Sequence, residues 1–332
     1  MSKPKYKGAI LAAGRGTRMQ PFSEVFPKPL LPVCNKPMIQ HQLEHMASLG
    51  IEEVVVLIGH KGYEIAKTIG DGSTYGVEIR YVEQDRMLGI GHAVGLLERE
   101  IGDDPFLLLL GDIYFVPYEF ERIFSVYEAQ AGGAVLATRE ENNVSAIRMN
   151  FAILQDADGM VIRVIEKPRH TPNRLKGVGV YLFNPSIFDA IRRTPRTALR
   201  DEYELTDAIQ VMIEDGHPVR VANVIEQDIN LTSPVDLLRA NMVHARRSDP
   251  ALRIASNVQI HSSAQVYNSV VGCGVEIVEP ISIFNSLLFP RTKVTSKVSL
   301  DRVIITPQGV VDCRPFIEVS ELTGSLAASA TA

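Results

Sequence analysis

Three short, unbroken apolar runs mark the first third of the chain: Ala9–Ala13, Val54–Ile58 and Phe106–Leu110. Each predicts a strand covered on both faces, as in the parallel part of an α/β sheet. Between the first two, Met38, Ile39, Leu43, Met46 and Ala47 recur at helical spacing, and Gly50 stops the pattern. Strand, helix and strand in this alternation predict an open α/β sheet with right-handed crossovers. Ligands of such sheets lie outside the carboxyl ends of the strands. "GRGTR" (Gly14–Arg18) and "GDI" (Gly111–Ile113) both begin at such ends. Later helices are predicted at Leu205–Glu214, with Thr206 as its N-cap, and at Ser233–Arg247.

After "RRSDP" the helical pattern stops, and from Ile254 onward small, polar and β-branched residues take over. Apolar positions step by six: Val258, Ala264, Val270; then Val275, Ile281, Leu287; then Val298, Ile304, Val310. A six-residue period predicts a parallel β-helix of about three coils, at roughly eighteen residues each, suited to a cap or an assembly element. A twisted antiparallel sheet is the alternative. The expected division is a large domain at 1–248, a short hexapeptide-type domain at 249–315 and a disordered tail at 316–332.

With 332 residues, 45% hydrophobic and 22% charged, the chain has the composition of a globular protein that buries a sizeable core. A net charge of −5 argues against a nucleic-acid polymer or an anionic membrane as partner, but leaves room for a small anion held by a few placed cations. Cys34, Cys273 and Cys313 form no metal or disulfide framework and predict reduced thiols in a cytoplasm. The apolar run near the N-terminus is too short for a signal peptide or a membrane span.

Candidate chemistry begins in the loop after the first strand. Gly14 and Gly16 permit positive φ and close backbone approach to a ligand, so the amides of Gly14–Arg18 can cradle phosphate oxygens, with Arg18 adding a bidentate fork. In "PKPLLP", prolines on either side of Lys28 stiffen the backbone around it. Arg18 and Lys28 can therefore converge on one polyphosphate. Either cation alone would read as a solvated surface charge.

The segment "LAAGRGTRMQPFSEVFPKPLLPVCNKPMI" resembles the signature of the sugar-1-phosphate nucleotidyltransferases. The similarity continues through "GDI", "EKP" (Glu166–Pro168), "GVGVYLF" (Gly177–Phe183) and "DINLTSPVDLLRAN" (Asp228–Asn241), in order and over roughly residues 7–245. It implies a Rossmann-like, mainly parallel but mixed sheet followed by a left-handed β-helix. The implied reaction joins a nucleoside triphosphate to a sugar 1-phosphate and releases pyrophosphate. Such a reaction depends mostly on positioning and charge neutralisation. By resemblance, Arg18 grips the triphosphate, and Lys28 bridges the attacking phosphate and the α-phosphate. Asp112 and Asp228 are the implied ligands of Mg²⁺.

The resemblance also assigns a nucleotide pocket to Leu11, Ala13, Gly14, Gly16, Thr17, Gln84 and Gly89. "YVEQDRMLGIGHAV" is similar to the uridylyltransferase members. The Gln84 amide can match the O4 and N3–H edge of uracil, and equally of thymine. His92 reads as a residue opening the helix behind the base. Gly111, Glu166, Lys167 and Gly179 are implied on the sugar-phosphate side. Gly177 departs from the pattern, which often has Asn there, and leaves the hexose open. The default pair is UTP and glucose 1-phosphate. A dTTP-dependent enzyme, or a catalytically idle regulatory relative that binds nucleotide sugar, is the alternative, and a homo-oligomer is expected. His41 and His45 read as helix-surface residues, His261 as no acyltransferase base, and Asp201, Glu202, Glu204 and Asp207 as a solvated acidic run.

Overall fold

The structure, a computed structural model, describes residues 6–170, 173–198 and 200–323. The chain divides into two compact units. One comprises Met1–Arg15 and Ile39–Asp228; the other comprises Gly16–Met38 and Ile229–Ala332.

The first unit is built on a nine-stranded mixed sheet. Its strands are β1 (Lys7–Ala12), β2 (Glu53–Ile58), β3 (Glu78–Glu83), β4 (Phe106–Leu110), β6 (Ala134–Glu140), β7 (Phe151–Gln155), β8 (Val161–Glu166), β9 (Leu175–Phe183) and β10 (Val219–Asn223). The three apolar runs, β2, β1 and β4, form its parallel centre, and β3 extends it in the order β3-β2-β1-β4, with Ala9 opposite both Val55 and Leu108. Beyond β4 the sheet turns mixed: β9 runs antiparallel to β4, β6 and β7, while β10 runs parallel to β6. Two further strands, β5 (Ile113–Pro117) and β11 (Ile225–Asn230), pair with each other outside this sheet.

The centre is apolar on both faces because helices cover it, as the unbroken runs require. Helix α1 (Met38–Ser48) buries Met38, Ile39, Leu43 and Met46 completely. Its histidines correct the sequence expectation. His41 is buried edge-on against Tyr114, and His45 lies tilted against Phe115, so both rings serve packing. Helix α3 (Leu205–Glu214), which follows the short helix α2 (Ile90–Gly95), has the predicted bounds but not the predicted cap. Glu204 is the N-cap residue, without a side-chain cap bond, and the Thr206 hydroxyl is buried without a hydrogen-bond partner.

In the second unit, helix α4 (Pro234–Arg247) starts at Ser233, whose amide donates to Asp236 at 2.8 Å. After it come three parallel ladders with one constant offset: Gln259–Glu276–Lys293, Val266–Ile283–Leu300 and Val270–Leu287–Ile304. The offset is 17 residues, seen again in the Ser269–Ser286 and Asn268–Asn285 bonds, rather than the eighteen expected. Positive φ recurs at that spacing, at Asn257, Gly274 and Arg291 and at Asn268, Asn285 and Arg302. Asn268 donates to Asn285, and Asn285 to Asp301, so the corners are stacked by side chains as well as backbone. The pairing is consistent with a β-helix and not with an antiparallel sheet.

The first two apolar sets follow the 17-residue step, with Val270, Val275, Ile281 and Leu287 buried and Val258 and Ala264 half-buried. In the third set Ile304 keeps the step from Leu287 and is buried, but its two neighbours in the set are not. Val298 is exposed ahead of the last ladder positions, and Val310 is exposed where Gly309–Asp312 folds back antiparallel on Val303–Thr306. Residues 316–323 belong to structure: Val319–Thr323 is helical, and Glu321 pairs with Arg239 at 2.6 Å. The segment "GSLAASATA" lies outside the described residues.

Candidate active site

Register alone assembles the first group of candidates. Leu11 pairs with both Leu57 and Leu110, and Ile58 pairs with Glu83, so β1, β2, β3 and β4 end on one edge. Ala13 and Gly14, Gln84, and Gly111 with Asp112 all leave from that edge. The approach is close. Gly111 N–H donates to the Leu11 carbonyl at 2.9 Å, and a Cβ on Gly111 would lie 2.4 Å from the same oxygen. No other residue fits before Asp112, which is half-buried at the start of β5. Gly59, which no sequence argument singled out, is crowded in the same way by the Ala13 carbonyl, 3.0 Å from its would-be Cβ.

Gln84 follows β3, and its amide N–H donates to the Ile58 carbonyl. Its side-chain Nε2 lies 3.2 Å from Nδ1 of His92, on α2. Burial, and then the Arg196 charge, lower the affinity of this imidazole for a proton, which keeps Nδ1 available as an acceptor. His92 thus orients the Gln84 amide rather than merely opening the helix. The loop before α3 closes on this segment: Tyr203 donates to the Leu88 carbonyl at 2.7 Å and accepts from Gly91 N–H at 2.8 Å. A Cβ on Gly89, whose φ is 103°, would sit 2.5 Å from the Tyr203 carbonyl. The acidic run is therefore partly structural. Arg200 joins Glu204 at 2.8 Å and Glu166 at 3.8 Å.

Glu166 ends β8, and Lys167, with φ 44°, turns outward beside it at 3.6 Å. Burial pushes the Glu166 carboxyl above its ordinary range; Lys167 and Arg200 oppose the shift, and Glu204 adds to it. Gly179 has φ 68°, and a Cβ there would meet Ile113 Cδ1 at 2.4 Å. The departure at Gly177 has a physical counterpart: any Cβ would fall 1.9 Å from the Phe151 ring, which stacks on Tyr181. Phe151 fills the space that an Asn side chain would need.

Asp228, on β11, is the candidate whose surroundings the sequence did not foretell. Its side chain has no exposed area. One carboxylate oxygen accepts from Arg139 Nε at 2.5 Å and the other from Lys176 Nζ at 2.6 Å. Arg139 also pairs with Glu141. Among the described residues, no group of three His, Cys, Asp or Glu side chains is placed to hold a metal ion. Asp112 offers the hard oxygens that suit Mg²⁺. Asp228 offers the same donor type, with each of its oxygens also accepting from a cation.

The basic loop belongs to the second unit. Gly16, at φ 66°, caps the 3₁₀ turn Thr17–Met19, which leaves Arg18 exposed and Met19 buried. A Cβ on Gly16 would stand 2.8 Å from Lys28 Cγ, so the glycine is the bed for the Lys28 stem. Lys28 is itself buried, in the turn Lys28–Leu30 that follows Pro27. Phe22 stacks on Phe289 with ring centres 5.3 Å apart. Asn241, the last residue of the motif that starts at Asp228, holds the far end of the loop. Its Oδ1 accepts from Cys34 N–H at 2.9 Å, and its Nδ2 donates to the Pro32 carbonyl at 2.8 Å.

Residues 7–229 match the family model described as nucleotidyl transferase. The chain belongs to this family. It is 39% identical over 240 residues to the low-salt glycan biosynthesis nucleotidyltransferase of Haloferax volcanii, a match covering 71% of this chain and 65% of that relative. It is also 32% identical over 287 residues to the glucose-1-phosphate thymidylyltransferase of Streptomyces antibioticus, covering 82% and 79%. A solved UDP-glucose pyrophosphorylase complexed with UDP-glucose superposes with a TM-score of 0.64 at 22% identity, over 73% of this chain and 99% of that one. That likeness concerns the fold alone. Among the described residues no helix is long and apolar enough to cross a membrane.

Proposed function

We propose that this nucleotidyl transferase family member joins a pyrimidine nucleoside triphosphate to a hexose 1-phosphate, giving a nucleotide sugar and pyrophosphate. The observation that carries the reading is the shared strand edge, where Gly111 lies against the Leu11 carbonyl and brings Asp112 beside the start of the phosphate loop. Ala13, Gly14, Gly16 and Thr17 would line the nucleotide with backbone groups, and Gln84, oriented by His92 and flanked by Gly89, would read the base edge. Glu166 would accept from sugar hydroxyls, Lys167 would meet the sugar phosphate, and Gly111 and Gly179 would let the backbone approach the sugar.

In the reaction a sugar-phosphate oxygen attacks the α-phosphorus, and the bond to the departing pyrophosphate breaks in line. Two anions must meet, so cations are needed: Arg18 would hold the triphosphate, and Lys28 would bridge the attacking phosphate and the α-phosphate. A divalent cation, Mg²⁺ by the chemistry of the donor, would be held by Asp112 and would supply further charge neutralisation.

UTP with glucose 1-phosphate is the first pair. The second reading, dTTP, is favoured by the Streptomyces antibioticus relative. Pyrophosphate release across UTP and dTTP crossed with glucose, N-acetylglucosamine, galactose and mannose 1-phosphates tests both. One pair should dominate; silence across the panel would leave the idle regulatory relative. The C-terminal ladders are read as a left-handed β-helix through which copies of the chain assemble in a cytoplasm. Light scattering that returns a concentration-independent monomer would remove the assembly.

A further inference from the structure

The contact between Gln84 and His92 has a polarity that a proton can reverse. Gln84 Nε2 carries only donors and faces Nδ1 of His92 at 3.2 Å, so the pairing stands only while Nδ1 is unprotonated. The imidazole is packed. It stacks on Tyr203 with ring centres 6.4 Å apart, and the Arg196 guanidinium lies 5.6 Å from the centre of the Tyr203 ring. The charged groups that this loop brings towards His92 are Arg196, with its partner Asp201 at 3.2 Å, and Glu202, which crowds Gly89. Helix α2 carries no other charged residue. The Gln84 carboxamide, by contrast, can reverse by a half turn about its last side-chain bond.

With Nδ1 bare, one Nε2 hydrogen goes to His92. The amide then turns its oxygen and its other hydrogen to the base, matching N3–H and O4 of uracil or thymine. A proton on Nδ1 sets donor against donor. The amide reverses, gives its oxygen to the imidazolium, and shows the base a donor opposite N3 and an acceptor opposite the 4-substituent. Cytosine has that edge, since its N3 accepts and its 4-amino group donates. Resting on the pyrimidine reading above, we infer that the proton on His92 decides which base Gln84 admits: uracil or thymine without it, cytosine with it. His92 acts through Gln84 and is a positioning residue. Burial, and then the Arg196 charge, draw its titration below the ordinary histidine value. The uracil-reading form therefore holds at neutral pH, and the cytosine-reading form emerges on acidification.

Calorimetric titration of the full chain with UTP and with CTP, each with Mg²⁺, across a pH series tests the inference. UTP should be favoured by more than about tenfold at neutral pH, and that ratio should narrow at least about threefold as pH falls through the His92 titration. Ionisation of the phosphates is common to both nucleotides and cancels in the ratio; protonation of cytosine itself would act the other way. His92→Phe keeps a ring for Tyr203 but offers neither acceptor nor donor, so its ratio should be smaller and constant with pH. A constant ratio in the unaltered protein, or the same pH course in His92→Phe, would overturn the inference. Should the variant fail to fold, nuclear magnetic resonance on the nucleotide-free parent decides. There the Gln84 carboxamide signals should move with the His92 imidazole signals through one shared titration, and indifference to it refutes the coupling. If neither nucleotide binds at any pH while those signals still titrate together, the failure belongs to the proposed nucleotide and not to the coupling of His92 with Gln84.

Discussion

Lys28 is the residue in which loop geometry and charge meet most directly. Its stem lies along Gly16, and its buried position leaves little freedom to the ammonium. Lys28→Ala should therefore lower kcat far more than it weakens triphosphate binding, since the charge matters most where the two phosphates come together; steady-state kinetics beside calorimetric titration separates the two. Glu166 gives a pH-dependent expectation with a definite sign. Its carboxyl is held above the usual range, so it becomes neutral, and a poorer acceptor, at a higher pH than an ordinary glutamate. KM for the sugar phosphate should rise as pH falls through that raised value, and Glu166→Gln should abolish this limb of the profile. An unchanged limb in the variant would place the titration elsewhere. Both residues were legible from motif spacing. Lys176 was not, because its partner Asp228 lies 52 residues away on a strand of a different sheet, a meeting that no local pattern encodes.

At the scale of elements, the apolar runs foretold the parallel centre of the sheet because burial on both faces leaves an unbroken signature in the sequence. The bounds of α3 followed from periodicity, whereas its cap did not, since a capping bond depends on where the preceding loop enters. The entry of that loop, through Tyr203, is fixed by Gly89 and Gly91 on a separate segment. The histidines of α1 were misjudged for a similar reason: an imidazole on a helix gives no sign of whether aromatic rings of a later strand will cover it. Asn241 illustrates how one side chain on a helix secures a distant turn. It is fully buried and holds polar groups of residues more than 200 positions earlier, at separations of 207 and 209. Asn241→Ala leaves the Cys34 amide and the Pro32 carbonyl without it, at about 1–3 kcal/mol for each buried group that finds no water. A lowered urea midpoint at unchanged m-value should report at least about 2 kcal/mol of lost stability.

For the whole molecule, the sequence showed a sheet domain followed by a coil, and its six-residue step was right in kind. The coil closes one residue sooner than the ideal repeat, at 17, and gives way to a hairpin where the last member of the third apolar set, Val310, was expected. The grouping of Gly16–Met38 with the C-terminal part of the chain was hidden, because proline and glycine spacing describe a loop's stiffness and not what it rests on. The stacking of Phe22 on Phe289 carries a consequence for any shortened form of this protein. A chain ending at residue 248 would keep every amino acid named for catalysis, yet it would deprive Phe22 and Phe26 of Phe289, the ring on which they rest. Such a fragment should retain much of its secondary structure by circular dichroism while losing most turnover and gaining protease sensitivity around Arg18. In the proposed reaction the coil would therefore serve catalysis as directly as the arginine and the lysine in the loop that rests on it.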